Sequence, residues 1–167
     1  MKNRTGYLLL GVIPLLASCA SPPIALAPVG PRPVAGAQLL PSSGNGCLQV
    51  FTETKEYEYN RDVPFYPHRD YQIYAADGRY LRRVWNSRSH EDETPSLITL
   101  PAGNYVVKAD AEFYGPVSVP VVIVPNRTTR VILQPGWKPG TAAPNAQFVH
   151  MPNGYLVGWR ADLPPPR

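Results

Sequence analysis

Two cysteines, three histidines and a segment dense in tyrosine are the side chains of this 167-residue chain with the most chemistry to offer. The run His90-Glu91-Asp92-Glu93 offers nitrogen and oxygen donors of the kind that bind metals. Adjacent loop residues rarely converge on one ion, however, and no second donor cluster stands at a recognisable ligand spacing. The run is therefore expected to be a solvated acidic loop between strands. His68 and His150 stand alone and read as structural. Ser87-Arg88-Ser89-His90 places hydroxyl and imidazole close in sequence, but without the glycine-flanked elbow that strains a nucleophilic serine. No catalytic constellation emerges, so neither an enzyme, a metal centre nor a cofactor is expected.

The tyrosines have two readings. Tyr57, Tyr59, Phe65, Tyr66 and Tyr71 are interleaved with Glu58, Arg61, Asp62, Arg69 and Asp70. Such a mixture can pack inside a β-sandwich with each phenol reaching water. It can equally form a face that contacts glycan or peptide, and Tyr57, Tyr59, Tyr66 and Tyr71 are the candidate ligand contacts on that reading. Cys47 also has two readings: an inert thiol, or one half of an intermolecular disulfide in an oxidising compartment. Its alternation with Leu48 puts it on the face of Gln49, where partial exposure is expected.

The first residues supply an address. Lys2 and Arg4 precede an apolar stretch from Tyr7 to Leu16. That is the layout of a secretory leader, and at about 10 residues the stretch is half of what a spanning helix needs. Leu16-Ala17-Ser18-Cys19 closes it and resembles the lipobox of bacterial lipoproteins. The resemblance implies cleavage after Ser18, a diacylglycerol on the Cys19 thiol and an acyl group on the new amine. Each buried methylene contributes roughly 0.8 kcal/mol, and stable anchoring takes more than one chain, a condition a multiply acylated cysteine meets. Ala20 stands where an aspartate would favour inner-membrane retention, which implies the outer membrane if the cell has one.

Residues 19–46 then form a linker rich in Pro, Ala and Gly, with no period of 2 or 3.6. Polyproline II geometry at about 3.1 Å per residue would let it act as a disordered, semi-rigid spacer reaching about 80 Å. The formal charge of the whole chain is +4. Without Lys2 and Arg4 it falls to about +2, too balanced for a nucleic-acid partner.

From Cys47 onward the pattern is one of strands. Tyr71–Ala76 and Arg79–Trp85 flank Asp77-Gly78, a hairpin signal. Tyr105, Val107, Ala109 and Ala111 alternate with Lys108, Asp110 and Glu112, so one face is buried and one wet. Val117 to Val124 is almost wholly apolar, and Pro120 within it, lacking an N–H, predicts an edge position or a bend. Thr129 to Gln134 closes the set, and Asn153-Gly154 marks a second hairpin between Gln147 and Arg160. A lone hairpin is marginal in water, so this one should dock on the rest. The expected fold is all-β: a single small antiparallel β-sandwich over 47–134 with an added C-terminal hairpin in 135–167, following the leader of 1–18 and the linker.

Leu100-Pro101-Ala102-Gly103-Asn104-Tyr105, followed by an apolar strand and Thr129-Arg130-Val131-Ile132-Leu133, is similar to the carboxypeptidase regulatory-like, prealbumin-like sandwich domains. That resemblance implies support, display or weak binding. The chain is thus expected to be a lipid-anchored cell-envelope protein whose domain serves as a non-catalytic structural or protein-interaction module. Its partners would be the membrane and other envelope proteins or cell-wall glycan. The alternative is a carbohydrate- or peptidoglycan-binding module using the Tyr57–Tyr71 aromatics. An open apolar edge at Val117–Val124 would favour strand addition, and a clustered exposed aromatic patch would favour glycan.

Overall fold

The computed structural model of the chain describes residues 24–34, 43–59, 63–139 and 147–161. The leader, Cys19 and the proline-rich tail lie outside these residues. The strands are β1 (Ile24–Ala25), β2 (Val29–Gly30), β3 (Asn45–Phe51), β4 (Tyr57–Tyr59), β5 (Val63–Phe65), β6 (Tyr71–Ala75) and β7 (Tyr80–Val84). They continue as β8 (Leu97–Pro101), β9 (Gly103–Ala111), β10 (Gly115–Ile123), β11 (Thr128–Ile132), β12 (Phe148–His150) and β13 (Leu156–Arg160). Among the described residues no helix is long and apolar enough to cross a membrane.

Two sheets pack face to face. The larger runs β12-β13-β2-β10-β9-β6-β7, with β1 also on β10, and the smaller runs β11-β3-β8. Alternation explains which face each strand buries. Val117, Val119, Val121 and Ile123 of β10 point inward beside Val107, Ala109 and Ala111 of β9. Leu48 and Val50 of β3 and Val131 of β11 meet them from the other sheet. Most pairings are antiparallel, as the turns predict, but β1 and β2 run parallel to β10, and β11 runs parallel to β3. The C-terminal hairpin docks: β13 pairs with β2 through Trp159↔Gly30 and Arg160↔Val29.

Two expectations need correction. Residues 24–34 are not part of a spacer, because Ile24 and Ala25 pair with Val117 and Ser118, and Val29 pairs with Val121 and is fully buried. Three apolar side chains, Val29, Leu26 and Ala27, belong to or pack on the core, and that burial outweighs the local preference of a proline-rich sequence for extended, solvated chain. Consequently β10 is an interior strand, and Pro120 is not at an edge. The Ser118 carbonyl accepts from the Leu26 N–H at 3.1 Å. Period-two alternation turns the Pro120 nitrogen to the same side. There the partner chain is interrupted between β1 and β2, so the missing donor is tolerated.

Both hairpin turns lie where the Asp-Gly and Asn-Gly pairs put them, with a different geometry. Only the glycines, Gly78 at φ 87° and Gly154 at φ 88°, take positive φ. The Ala75 N–H donates to Arg79 O and the Met151 N–H to Tyr155 O, closing three-residue loops, with register shifts in the flanking strands. These are turns completed by a left-handed glycine next to a bulge, rather than two-residue loops. The Asp77 and Asn153 side chains accept from the N–H two residues on.

Register sorts the connections into two ends. At one end lie the tight β6–β7, β8–β9, β10–β11 and β12–β13 turns. At the other, the chain enters through Ile24, β9 turns into β10, and longer connections leave, among them two excursions: residues 52–70 between β3 and β6, and 85–96 between β7 and β8.

Candidate functional site

The two excursions at the entry end are pinned to each other by a buried polar network. Asn86 is fully buried just past the end of β7. Its amide donates to Val50 O at 2.8 Å and to Thr52 Oγ1 at 3.2 Å, and its Oδ1 accepts from the Ser96 N–H at 3.2 Å. Thr52 Oγ1 donates to Arg69 O at 2.7 Å. His68 sets its Nδ1 2.8 Å from Thr52 O, which fixes the Nδ1–H tautomer because a carbonyl can only accept. Burial of the ring lowers the His68 pKa, opposed by its contact with Thr52 and by Glu112, Glu93 and Asp92, so the imidazole is held neutral.

Between the excursions lies an open cleft of about 680 Å³, lined by Arg69, Asp70, Arg83, Trp85, His90 and Asp110 among others. Trp85 is 70% exposed, since the alternation that sinks Val84 turns the next side chain outward. The Arg83 guanidinium lies 4.8 Å from the Trp85 ring centroid and pairs with Asp70 at 2.8 Å. Asp70 also accepts from the Asn86 N–H at 3.0 Å, so the network orients the cleft wall. Arg69 reaches Glu53 at 3.0 Å and Asp110 at 3.9 Å. These pairs are half exposed, and each contributes at most about 1 kcal/mol to stability. Their value is to fix guanidinium edges and carboxylate oxygens around an indole face.

The acidic loop serves structure. Asp92 accepts from the Thr94 and Arg88 N–H groups, which lowers its pKa. Glu93 accepts from the Tyr66 N–H at 2.7 Å, and the His90 ring stacks on Tyr57 at 4.2 Å between centroids. Among the described residues no three His, Cys, Asp or Glu side chains come together as a metal site. Ser87 donates to the His68 carbonyl and Ser89 accepts from the Glu91 N–H, so neither hydroxyl meets an imidazole.

The four candidate tyrosines do not form one face. Tyr57 is half-buried under His90, and Tyr66 is 43% exposed. Tyr59 sits in β4 opposite Val63. Tyr71 is a correction: it is 1% exposed on the inner face of β6, and burial raises its pKa. Its hydroxyl has no hydrogen-bond partner among the described residues. Polar neighbours in the sequence suggested a surface position, whereas the register of β6 against β9 turns Tyr71 inward with Ile73. Cys47 is a half-buried free thiol on the outward face of β3. Val117–Val124 offers no open edge for strand addition, since that side of β10 is paired with β1 and β2.

Sequence reasoning missed Arg83, Trp85 and Asn86. The signal for Trp85 was present in the alternation of β7, which exposes the residue after an inward valine. Asn86 had none, because the acceptors of its side-chain amide, Thr52 and Val50, are 34 and 36 positions away. Compared with known protein families, with curated proteins and with solved structures, the chain matches none.

Proposed function

We propose that this is a lipid-anchored cell-envelope protein whose β-sandwich is a non-catalytic recognition module, holding a saccharide of the envelope in the cleft between its two excursions. The observation that carries this reading is the fully presented Trp85 ring, braced by Arg83 and flanked by Asp70, Arg69 and Asp110. An aromatic face beside paired hydrogen-bond donors and acceptors suits the apolar ring faces and the many hydroxyls of a sugar. Protein recognition by strand addition has less support, since the apolar strand that would offer it is interior. The lipobox resemblance at Cys19 supplies the anchor and the address, and the prealbumin-like turn at Leu100–Tyr105 accords with a binding role. That turn has a physical function here: the Tyr105 hydroxyl donates back to Pro101 O at 3.0 Å.

The test is co-sedimentation of the full chain with purified insoluble peptidoglycan. Trp85→Ala should abolish most of the binding at an unchanged melting temperature, and Tyr57→Ala, which removes the ring stacked on His90 of the cleft wall, should reduce it less. Undiminished sedimentation of Trp85→Ala would overturn the assignment of the cleft.

A further inference from the structure

The docking of β1 on β10 changes where the domain can sit. Only Ala20, Ser21, Pro22 and Pro23 separate Cys19 from Ile24. Fully extended, that connection spans about 18 Å, against the roughly 80 Å of a free linker. Because β1 runs parallel to β10 from Val117, the chain enters from the end that carries the β9–β10 turn. Phe113 stands at the tip of that turn and is 80% exposed, the largest exposure among the big apolar side chains described. Its φ is 59°, a left-handed conformation that costs a non-glycine residue roughly 1–2 kcal/mol. The turn is closed by Tyr114 N–H to Ala111 O, and Glu112 is held by its own N–H on Leu133 O and by its carboxylate on the Thr54 N–H. The turn therefore presents a phenyl ring to solvent at an energetic cost, on a braced support. Single exposed apolar residues need no explanation. One that is strained, and stands where a short lipid-bearing segment enters, does. Trp85 and Val63 are exposed on the same end, on the two excursions.

We infer that the entry end is held against the bilayer, with Phe113 seated among the lipid headgroups as a contact auxiliary to the acyl chains on Cys19. This rests on the reading of Cys19 as lipidated. A phenyl ring gains by leaving water for the headgroup boundary, and the fixed turn spares most of the ordering cost. The anchor supplies proximity, and Phe113 supplies orientation.

The experiment uses the full lipidated chain in vesicles of phosphatidylethanolamine and phosphatidylglycerol. Cys47→Ser removes the other thiol, and a fluorophore is attached at Phe113→Cys or, as the control at the opposite end, at Tyr80→Cys. Quenchers carried on lipid headgroups should quench the fluorophore at 113 about threefold or more over that at 80, with aqueous iodide showing the reverse. Equal lipid quenching at the two sites, or a fluorophore at 113 open to iodide, would overturn the placement. Shielding at 113 from both quenchers would overturn it in favour of a protein cover. Intact-mass measurement and vesicle flotation separate the two claims. An unmodified Cys19 would remove the anchor and this inference together, whereas a lipidated, floating protein that fails the quenching test would lose only the orientation.

Discussion

The two ends of the sandwich solve the problem of reversing a chain in opposite ways. At the turn end, the four tight turns place their positive φ values on residues suited to them, among them Gly78, Gly154, and Asn126, which follows Pro125. The Asp77 and Asn153 side chains satisfy backbone groups locally. At the entry end, beside longer connections, the tight β9–β10 turn places its strained position on Phe113. Order there comes from long-range polar bonds centred on Asn86 and Asp70. The entry end carries Trp85 and Phe113, the two most exposed aromatic rings among the described residues, together with charge pairs and the 680 Å³ cleft.

Breaking the network should cost most. Asn86→Ala leaves the Val50 carbonyl without its buried donor and takes a donor from Thr52 Oγ1, while the Ser96 N–H keeps its 2.9 Å bond to the backbone carbonyl of residue 86; the change should destabilise the protein by about 2 kcal/mol, read as a lower midpoint in urea with unchanged slope. A loss below about 1 kcal/mol would show that the excursions are ordered by something else. At the opposite end, Gly154→Ala forces a side chain into left-handed backbone and should cost about 1–2 kcal/mol. Tyr71→Phe removes an unpartnered buried hydroxyl and should raise stability by about 1 kcal/mol; a loss instead would reveal a partner for that group. Phe113→Gly should also stabilise, by about 0.5 kcal/mol, since relief of strain is partly offset by glycine's larger unfolded-state entropy. Opposite signs for glycine removal at 154 and glycine insertion at 113 would confirm the contrast between the ends.

The smallest expected effect is a pH dependence. His68 has a folded pKa below its unfolded value, so the unfolded chain binds the extra proton. Stability is then retained above about pH 6.5 and falls as pH drops below it toward the folded pKa. Thermal melts between pH 7.5 and 5.5 should show this slope, and His68→Gln should flatten it. An unchanged slope in that variant would assign the dependence to other groups.

Legibility followed the range of the interactions. The β9 alternation from Tyr105 to Ala111 was readable, because each residue's face depends only on its neighbours and the burial of one side. The positions of the hairpins were readable for the same reason, though their loop lengths were not, since adding a bulge residue is decided by the twist of the paired strands. Residues 24–34 misled because prolines were read as solvated linker. Val29 is buried by β10, β13 and the facing sheet, none of which is local. Of the site, the sequence put Tyr71 on the wrong face, and it singled out Tyr57 and Tyr66, which stand on the 52–70 excursion without lining the cleft.

Local chemistry by itself determined that this chain forms strands, which residues of β9 turn inward, and where the β6–β7 and β12–β13 reversals fall, because alternation and turn propensity act over a few residues. Only the tertiary structure decided that β10 is interior, that the chain before β3 is part of the sheet, and that Asn86 joins the walls of a cleft. Those outcomes depend on hydrogen bonds and burial between residues dozens of positions apart, where no local pattern records the partner.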